Sequence, residues 1–240
     1  MNIGAFFDID GTLYRDSLMI AHFKKLVKYE VIDPILWYDQ VEKYYKEWTK
    51  RRGDYEVYME GLAEVYIQAI KNLNKQDTAF ITQQVIDLKG DSVYQFTRKR
   101  IEYHKAMGHK IFFISGSPDY LVEAMGAKYG VTDCIGTNYL TDSQGNFTGE
   151  VVRMWDAESK SRAIAHFTTH YNLDLAQSYA YGDTNGDYSM ITQVGHGYAI
   201  NPTQELLCRL SKHPEVNVIV ERKDVIYRLN PSVETIQQDH

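Results

Sequence analysis

Cysteine is nearly missing from this chain: Cys134 and Cys208 are the only two among 240 residues, and no metal-type spacing links them. Such usage implies two reduced thiols in an intracellular protein and excludes a disulfide-stapled scaffold. An excess of positive charge is missing too. Lysine and arginine number 26 against 32 aspartates and glutamates, a formal net charge of −6, with an isoelectric point near 5.8. That balance argues against nucleic acid as the main partner. It leaves room for a small anion, because local potential does not follow net charge. Long apolar runs are the third absence. The stretch "MNIGAFFDID" has no basic flank and its apolar run stops at Asp8, so neither a signal peptide nor a membrane anchor is expected. Other uncharged stretches are too short to span a bilayer, and a cytoplasmic protein with no membrane partner is the expectation. Internal repeats and low-complexity tracts are absent as well.

What is present is material for a folded core. Hydrophobic residues make up 44% and charged residues 24%, enough for one core and a smaller second one. Residues 3–9 read as a buried strand closed by the turn "DGT". From Ser17 to about Met107 the pattern is helical. "DSLMIAHFKKLVKY" offers N-cap candidates Asp16 and Ser17 and repeats apolar residues at Met19, Phe23, Leu26 and Val27. "DPILWYDQVEKYYKEWTKRRG" places Trp37, Val41, Tyr44, Tyr45 and Trp48 on one stripe. It stops at Lys50, Arg51, Arg52 and Gly53, the arginines complementing the helix C-terminus. A third helix carries Tyr58, Leu62, Tyr66 and Ile70, and two more follow near 76–88 and 92–107. The aromatic residues of these stripes read as core.

After Gly108 short apolar strands alternate with helices. "KIFFIS", "DCIGTN", "SYAYGD", "GYAI" and "VNVIV" read as strands, and "YLTDSQGNFTGEVV" as a hairpin around Gln144, Gly145 and Asn146. Such alternation predicts a mainly parallel sheet with helices on both faces, into which the helical block is inserted. The division expected is an α/β core of residues 1–15 and 91–240 with a cap of residues 16–90, and two parts of this kind suggest a cap that opens and closes on the core.

Ligands of such sheets bind beyond the carboxyl ends of the strands. Asp8, Asp10 and Thr12 follow the first strand; Ser115 and the backbone of Gly116 follow "KIFFI"; Asp183 and Asp187 follow "SYAYG"; Lys160 begins the preceding helix. Alternate strand residues share a side, so Asp8 and Asp10 face one way, an arrangement that repulsion disfavours unless chemistry needs it. Asp8, Asp10 and Asp183 form a hard oxygen site suited to Mg2+. Ser115 and nearby N–H groups can donate to phosphoryl oxygens, and Lys160 adds a positive charge. One carboxylate of the strand pair then attacks phosphorus, and the other protonates the leaving alcohol and activates water.

"FFDIDGTL", "FFISGSP", Lys160 and "YGDTNGD" resemble, in order, the four motifs of the haloacid dehalogenase (HAD) superfamily of phosphohydrolases. The likeness covers nearly the whole chain and is nearest to subfamily IB, the phosphoserine phosphatase-like group. It implies a Rossmann-like core with an inserted C1 cap, and a Mg2+-dependent phosphatase that hydrolyses a small phosphorylated metabolite through an aspartyl phosphate. It implies Asp8 as nucleophile, Asp10 as general acid and base, and Ser115 and Lys160 as phosphate binders. Asp183 and the main-chain carbonyl of Asp10 are implied metal ligands, with Asp187 in support.

Two positions depart from the pattern. Where phosphoserine phosphatases carry an early cap glutamate this chain has Ser17 beside Asp16, and Gly186 stands where they hold asparagine, one place after Asn185. Both point away from phosphoserine. A leaving-group pocket is expected near Tyr14, Asp16, Ser17 and the helices that follow. Transfer of the aspartyl phosphate to another alcohol and non-catalytic sensing of a phospho-ligand are the alternatives, and the intact acidic set speaks against the sensor.

Overall fold

Gly4–Phe7 form the central strand, β1, and the two adjacent phenylalanines show why it is central. Phe6 stacks on Phe112 at 5.3 Å on one face of the sheet, while Phe7 stacks on Tyr181 at 4.2 Å on the other. A strand buried on both faces has no polar side to alternate. The computed structural model describes residues 1–50 and 55–233, without the side chains of residues 48 and 55–57. Arg51, Arg52 and Gly53, and the side chains of Trp48 and Tyr55, lie outside the described residues.

After β1 come helices α1 (Leu18–Lys28), a π-helical stretch over Leu36–Val41, α2 (Glu42–Thr49), α3 (Tyr55–Ile70), α4 (Lys75–Lys89) and α5 (Gln95–Ala106). The alternating part follows as β2 (Lys110–Pro118), α6 (Asp119–Tyr129), β3 (Asp133–Thr141), β4 (Phe147–Val152) and α7 (Ala157–Tyr171). It closes with β5 (Tyr179–Gly182), α8 (Tyr188–Thr192), β6 (His196–Ile200), α9 (Gln204–Leu210), β7 (Asn217–Arg222) and β8 (Val225–Leu229). The strands lie in the order β4-β3-β2-β1-β5-β6-β7-β8. All neighbours are parallel except the outer pairs β3–β4 and β7–β8. The chain leaves β1 toward β2 and later returns to its other side as β5, so the crevice at the carboxyl ends of β1, β2 and β5 is the binding position of such sheets.

The sequence reading ends its strands at "VNVIV" and omits β8. β8 is a five-residue edge strand, VIYRL, whose Val225 and Tyr227 are exposed, and its three-residue apolar stretch is too short to stand out beside the charged turn that precedes it. Tyr44 departs from its expected stripe and is exposed, while Trp37 and Val41 are buried. Among the described residues the helical insertion encloses no separate second core. Trp37, Tyr58 and Tyr66 belong to the same continuous apolar cluster as Phe7 and Phe113 of the sheet.

The insertion is also fastened at its far end. Asn72 N–H donates to the Phe147 carbonyl, Phe147 N–H to that of Leu73, and Lys75 N–H to that of Gly145, each at 2.9 Å. Asn74 adds its side-chain amide to the Gln144 carbonyl at 2.9 Å, and Lys75 pairs with Asp119 at 3.0 Å. Inside, His22 of α1 bonds Tyr66 of α3 at 2.7 Å, and Tyr66 bonds Tyr120 of α6.

Candidate active site

The loop after β1 is shaped by a tight turn in which the N–H groups of Thr12, Leu13 and Tyr14 all point at the Ile9 carbonyl. Gly11 holds φ +81°, and a Cβ there would sit 2.1 Å from Asp183 Oδ2. That contact explains the glycine of "DGT", because any side chain would displace the carboxylate. Thr12, expected at the substrate, does not reach the cavity. It is fully buried and donates its hydroxyl proton to Asp183 Oδ1 at 2.9 Å.

Asp8, Asp183 and Asp187 each present an oxygen within 4.8 Å of the others. Lys160, buried in the first turns of α7, donates to Asp8 Oδ1 at 2.7 Å and to Asp187 Oδ1 at 2.5 Å. The other oxygen of Asp187 accepts the N–H groups of Asp183 and Thr184 at 2.9 and 3.0 Å, which fixes the loop. Asp8 Oδ2 and Asp183 Oδ2 accept no hydrogen bond among the described residues. Three buried carboxylates against one ammonium, with two hard oxygens unused, fit a divalent cation such as Mg2+.

Burial pushes the Asp8 carboxyl up to about 8 against the pull of Lys160. Burial, then the neighbouring Asp8 and Asp187, hold Asp183 well above the ordinary carboxylate range. For Lys160 burial opposes the charge, but Asp187 and Asp8 outweigh it and hold the ammonium above its ordinary value.

Asp10 faces a different environment. Its Oδ1 accepts Leu18 N–H at 3.0 Å, and its Oδ2 accepts the hydroxyls of Ser117 at 2.5 Å and Ser17 at 3.3 Å. Burial raises its carboxyl to about 6, with these donors, Ser117 first, holding it down. Ser117 was missed by the sequence reading, although it stands two residues after Ser115 in "SGSP". Ser115 is fully buried, lines the cavity and accepts Ser117 N–H at 3.2 Å.

These groups open into a cavity of about 440 Å3. Asp8, Asp10, Ser115, Gly116 and Lys160 line its inner end; Asp183, Asp187 and Thr12 stand behind them. The outer end draws on the helices after Ser17, as expected, and on the β4–α7 linker, which was not expected. Met19 of α1, Met59, Glu60 and Ala63 of α3, and Arg153 and Trp155 of the β4–α7 linker line it, whereas Tyr14, Asp16 and Ser17 do not. Ser17 is committed to Asp10 and to capping α1 at Ile20 N–H, and Tyr14 is buried in the turn. No spacing in the sequence ties residues 153 and 155 to the far helices, so only the fold joins them.

Among the described residues no helix is long and apolar enough to cross a membrane. A family model described as haloacid dehalogenase-like hydrolase matches residues 5–192. The inhibition of morphological differentiation protein of Streptomyces azureus is 26% identical over 204 residues, covering 84% of this chain and 73% of the relative. A histidinol-phosphatase of Neisseria meningitidis serogroup C (strain 8013) is 23% identical over 211 residues, covering 84% of this chain and 91% of the relative. Among solved structures, a phospho-aspartyl intermediate analogue of phosphoserine phosphatase superposes with a TM-score of 0.63 at 16% identity, covering 93% of this chain and 95% of the other. At that identity the likeness is one of fold.

Proposed function

The chain belongs to the haloacid dehalogenase-like hydrolase family, and from that premise we propose that it hydrolyses a small phosphorylated metabolite through an aspartyl phosphate on Asp8, with residues 16–90 acting as a cap. The observation that carries this reading is the division of labour between the two strand-end acids. Asp8 meets Lys160 and opens onto the cavity, while Asp10 is oriented by Leu18, Ser17 and Ser117.

One oxygen of the Asp8 carboxylate attacks phosphorus as the ester P–O bond breaks, and Asp10 gives its proton to the departing alkoxide. A carboxyl near 6 is poised for both halves of the cycle, because it is neither a strong acid nor fully protonated near neutrality. In the second half Asp10 takes a proton from water, the oxygen of that water attacks phosphorus, and the Asp8 carboxylate leaves. Lys160 steadies Asp8, and Ser115 with the N–H groups around Gly116 receives phosphoryl oxygens. Asp8, Asp183 and the main-chain carbonyl of Asp10 would hold a Mg2+ ion, whose charge favours ionised Asp8 and offsets the phosphoryl anion.

Histidinol-phosphatase and phosphoserine phosphatase, named among the relatives and structural neighbours, make their substrates the natural probes. The test is phosphate release from an aryl phosphate and from these two esters, with Mg2+ or with chelator, for the native chain and Asp8→Asn. Metal-dependent release lost in Asp8→Asn is expected. Release that survives Asp8→Asn, or none from any ester, overturns the reading.

A further inference from the structure

The β4–α7 linker is held over the cavity by unusually close packing. A Cβ at Gly116 would stand 2.9 Å from Trp155 Cβ, and one at Gly186 would stand 2.2 Å from the Trp155 carbonyl oxygen. The C-terminal end of β2 and the loop after β5 therefore each lack a side chain where Trp155 passes between them. Met154 N–H donates to Thr137 Oγ1 at 3.2 Å, and that hydroxyl donates to the Gly116 carbonyl at 2.8 Å. On the other side Asp156 caps α7 by accepting Ser159 N–H at 2.7 Å, one turn before Lys160. Trp155 is thus placed relative to the phosphoryl end from both directions.

Its indole is half-buried and lines the cavity, with the Arg153 guanidinium 5.0 Å from the ring centre. The same cavity is lined by Met19, Met59 and Ala63 of the insertion. A flat aromatic side chain and adaptable thioethers in one cavity suit a flat guest, since methionine moulds itself to a ring edge and indole offers a stacking face. The asparagine absent at Gly186 is accounted for as well, because the Trp155 carbonyl occupies the space of its side chain.

We propose that Trp155 is the specificity-determining residue of the leaving-group subsite, and that the preferred substrates are phosphate monoesters whose alcohol bears an aromatic or heteroaromatic ring. The inference rests on the phosphatase reading for its chemistry, but the subsite can be measured without turnover. 2-Phenylethyl phosphate and ethyl phosphate are matched probes, both esters of unactivated primary alcohols. Calorimetric titration of Asp8→Asn with each, in the Trp155 and Trp155→Ala backgrounds, reads the subsite alone. The ring-bearing ester should bind about tenfold or more tightly than ethyl phosphate. That ratio should collapse in Trp155→Ala and be largely restored in Trp155→Phe. With Asp8 intact, the ratio of kcat/KM for the two esters should follow the same order, chiefly through KM.

Equal binding of the two esters, no binding of either, or a preference that survives Trp155→Ala overturns the proposal. A binding preference lost in Trp155→Ala, with no phosphate released by the native chain, upholds the subsite and removes the phosphatase reading instead.

Discussion

Exchanging Lys160 for methionine, which has similar length and no charge, tests the electrostatic frame of the site. Lys160 Nζ lies 2.7 Å from Asp8 and 2.5 Å from Asp187, with side chains 3%, 7% and 0% exposed. Removing one partner of a buried ion pair costs about 3–5 kcal/mol, because the other charge stays desolvated. Here two bonded carboxylates and a third, Asp183, are left together, so the upper half of that range is expected. Against a typical domain stability of about 5–15 kcal/mol the loss is large.

The sharper part of this test is that Asp8→Asn should move the other way. Two unit charges at the 4.8 Å limit of this cluster repel by about 3 kcal/mol under protein-like screening. The amide oxygen can still accept the Lys160 proton. Gross repulsion is partly offset by the lost attraction to Lys160, leaving a metal-free gain of about 1–2 kcal/mol. Urea unfolding with chelator at about pH 9, above the raised Asp8 carboxyl so that Asp8 is ionised, measures both variants, and the double variant should recover part of the Lys160→Met loss. Added Mg2+ should stabilise the native chain more than Asp8→Asn. A Lys160→Met cost below about 1 kcal/mol, or an Asp8→Asn chain less stable than the native one, refutes the picture of an over-acidic site balanced by one ammonium.

His22 sets a pH dependence elsewhere. Burial lowers its imidazole to about 4 from 6.5, so the unfolded chain takes up the proton first. Stability is lost as pH falls from 6.5 toward 4, by about 3 kcal/mol in full. His22→Gln should flatten the slope of unfolding free energy over that window, and identical slopes in the two proteins would count against it. At the hairpin, Asn74→Ala removes bonds to the Gln144 carbonyl and the Asn146 side chain, a change of about 1–2 kcal/mol. Amide exchange at residues 72, 75 and 147 should quicken; unchanged protection there would show that Asn74 does not hold the insertion.

The parallel core was legible because buried strands such as "KIFFIS" and their intervening helices carry their own periods. So was the gathering of Asp8, Asp10, Ser115, Asp183 and Asp187 at one rim, because strand ends collect polar residues wherever the order of strands reverses; Lys160 reaches that rim from α7. Thr12 was misplaced for a local reason: its hydroxyl has a carboxylate 2.9 Å away and turns inward. Of the outer wall, the helices after Ser17 were legible as a group, but neither the individual residues nor the β4–α7 linker was. Met59 and Trp155 are 96 residues apart in the chain, and each alone is an ordinary core-type residue. His166 and His170, at HxxxH spacing, lie on the exposed side of α7 with rings stacked at 6.0 Å, outside the cavity.

The expectation of a cap that swings as a body has to be set against what joins it to the core. Three backbone hydrogen bonds tie residues 72–75 to the hairpin, an ion pair joins α4 to α6, and a buried chain from His22 through Tyr66 ends on Tyr120 of α6. Each net hydrogen bond contributes about 0.5–1.5 kcal/mol, and breaking the buried chain would strand polar groups at greater cost. A hinge at the two connections to the core would have to break all of these at once, and would expose the apolar cluster that insertion and sheet share. The inexpensive motion is local, at the cavity mouth, where the exposed Glu60 and Arg153 side chains make no ion pair among the described residues. Recognition of the leaving group then falls to walls that are already in place, with Trp155 packed between Gly116 and Gly186 and the methionines adjusting around whatever enters.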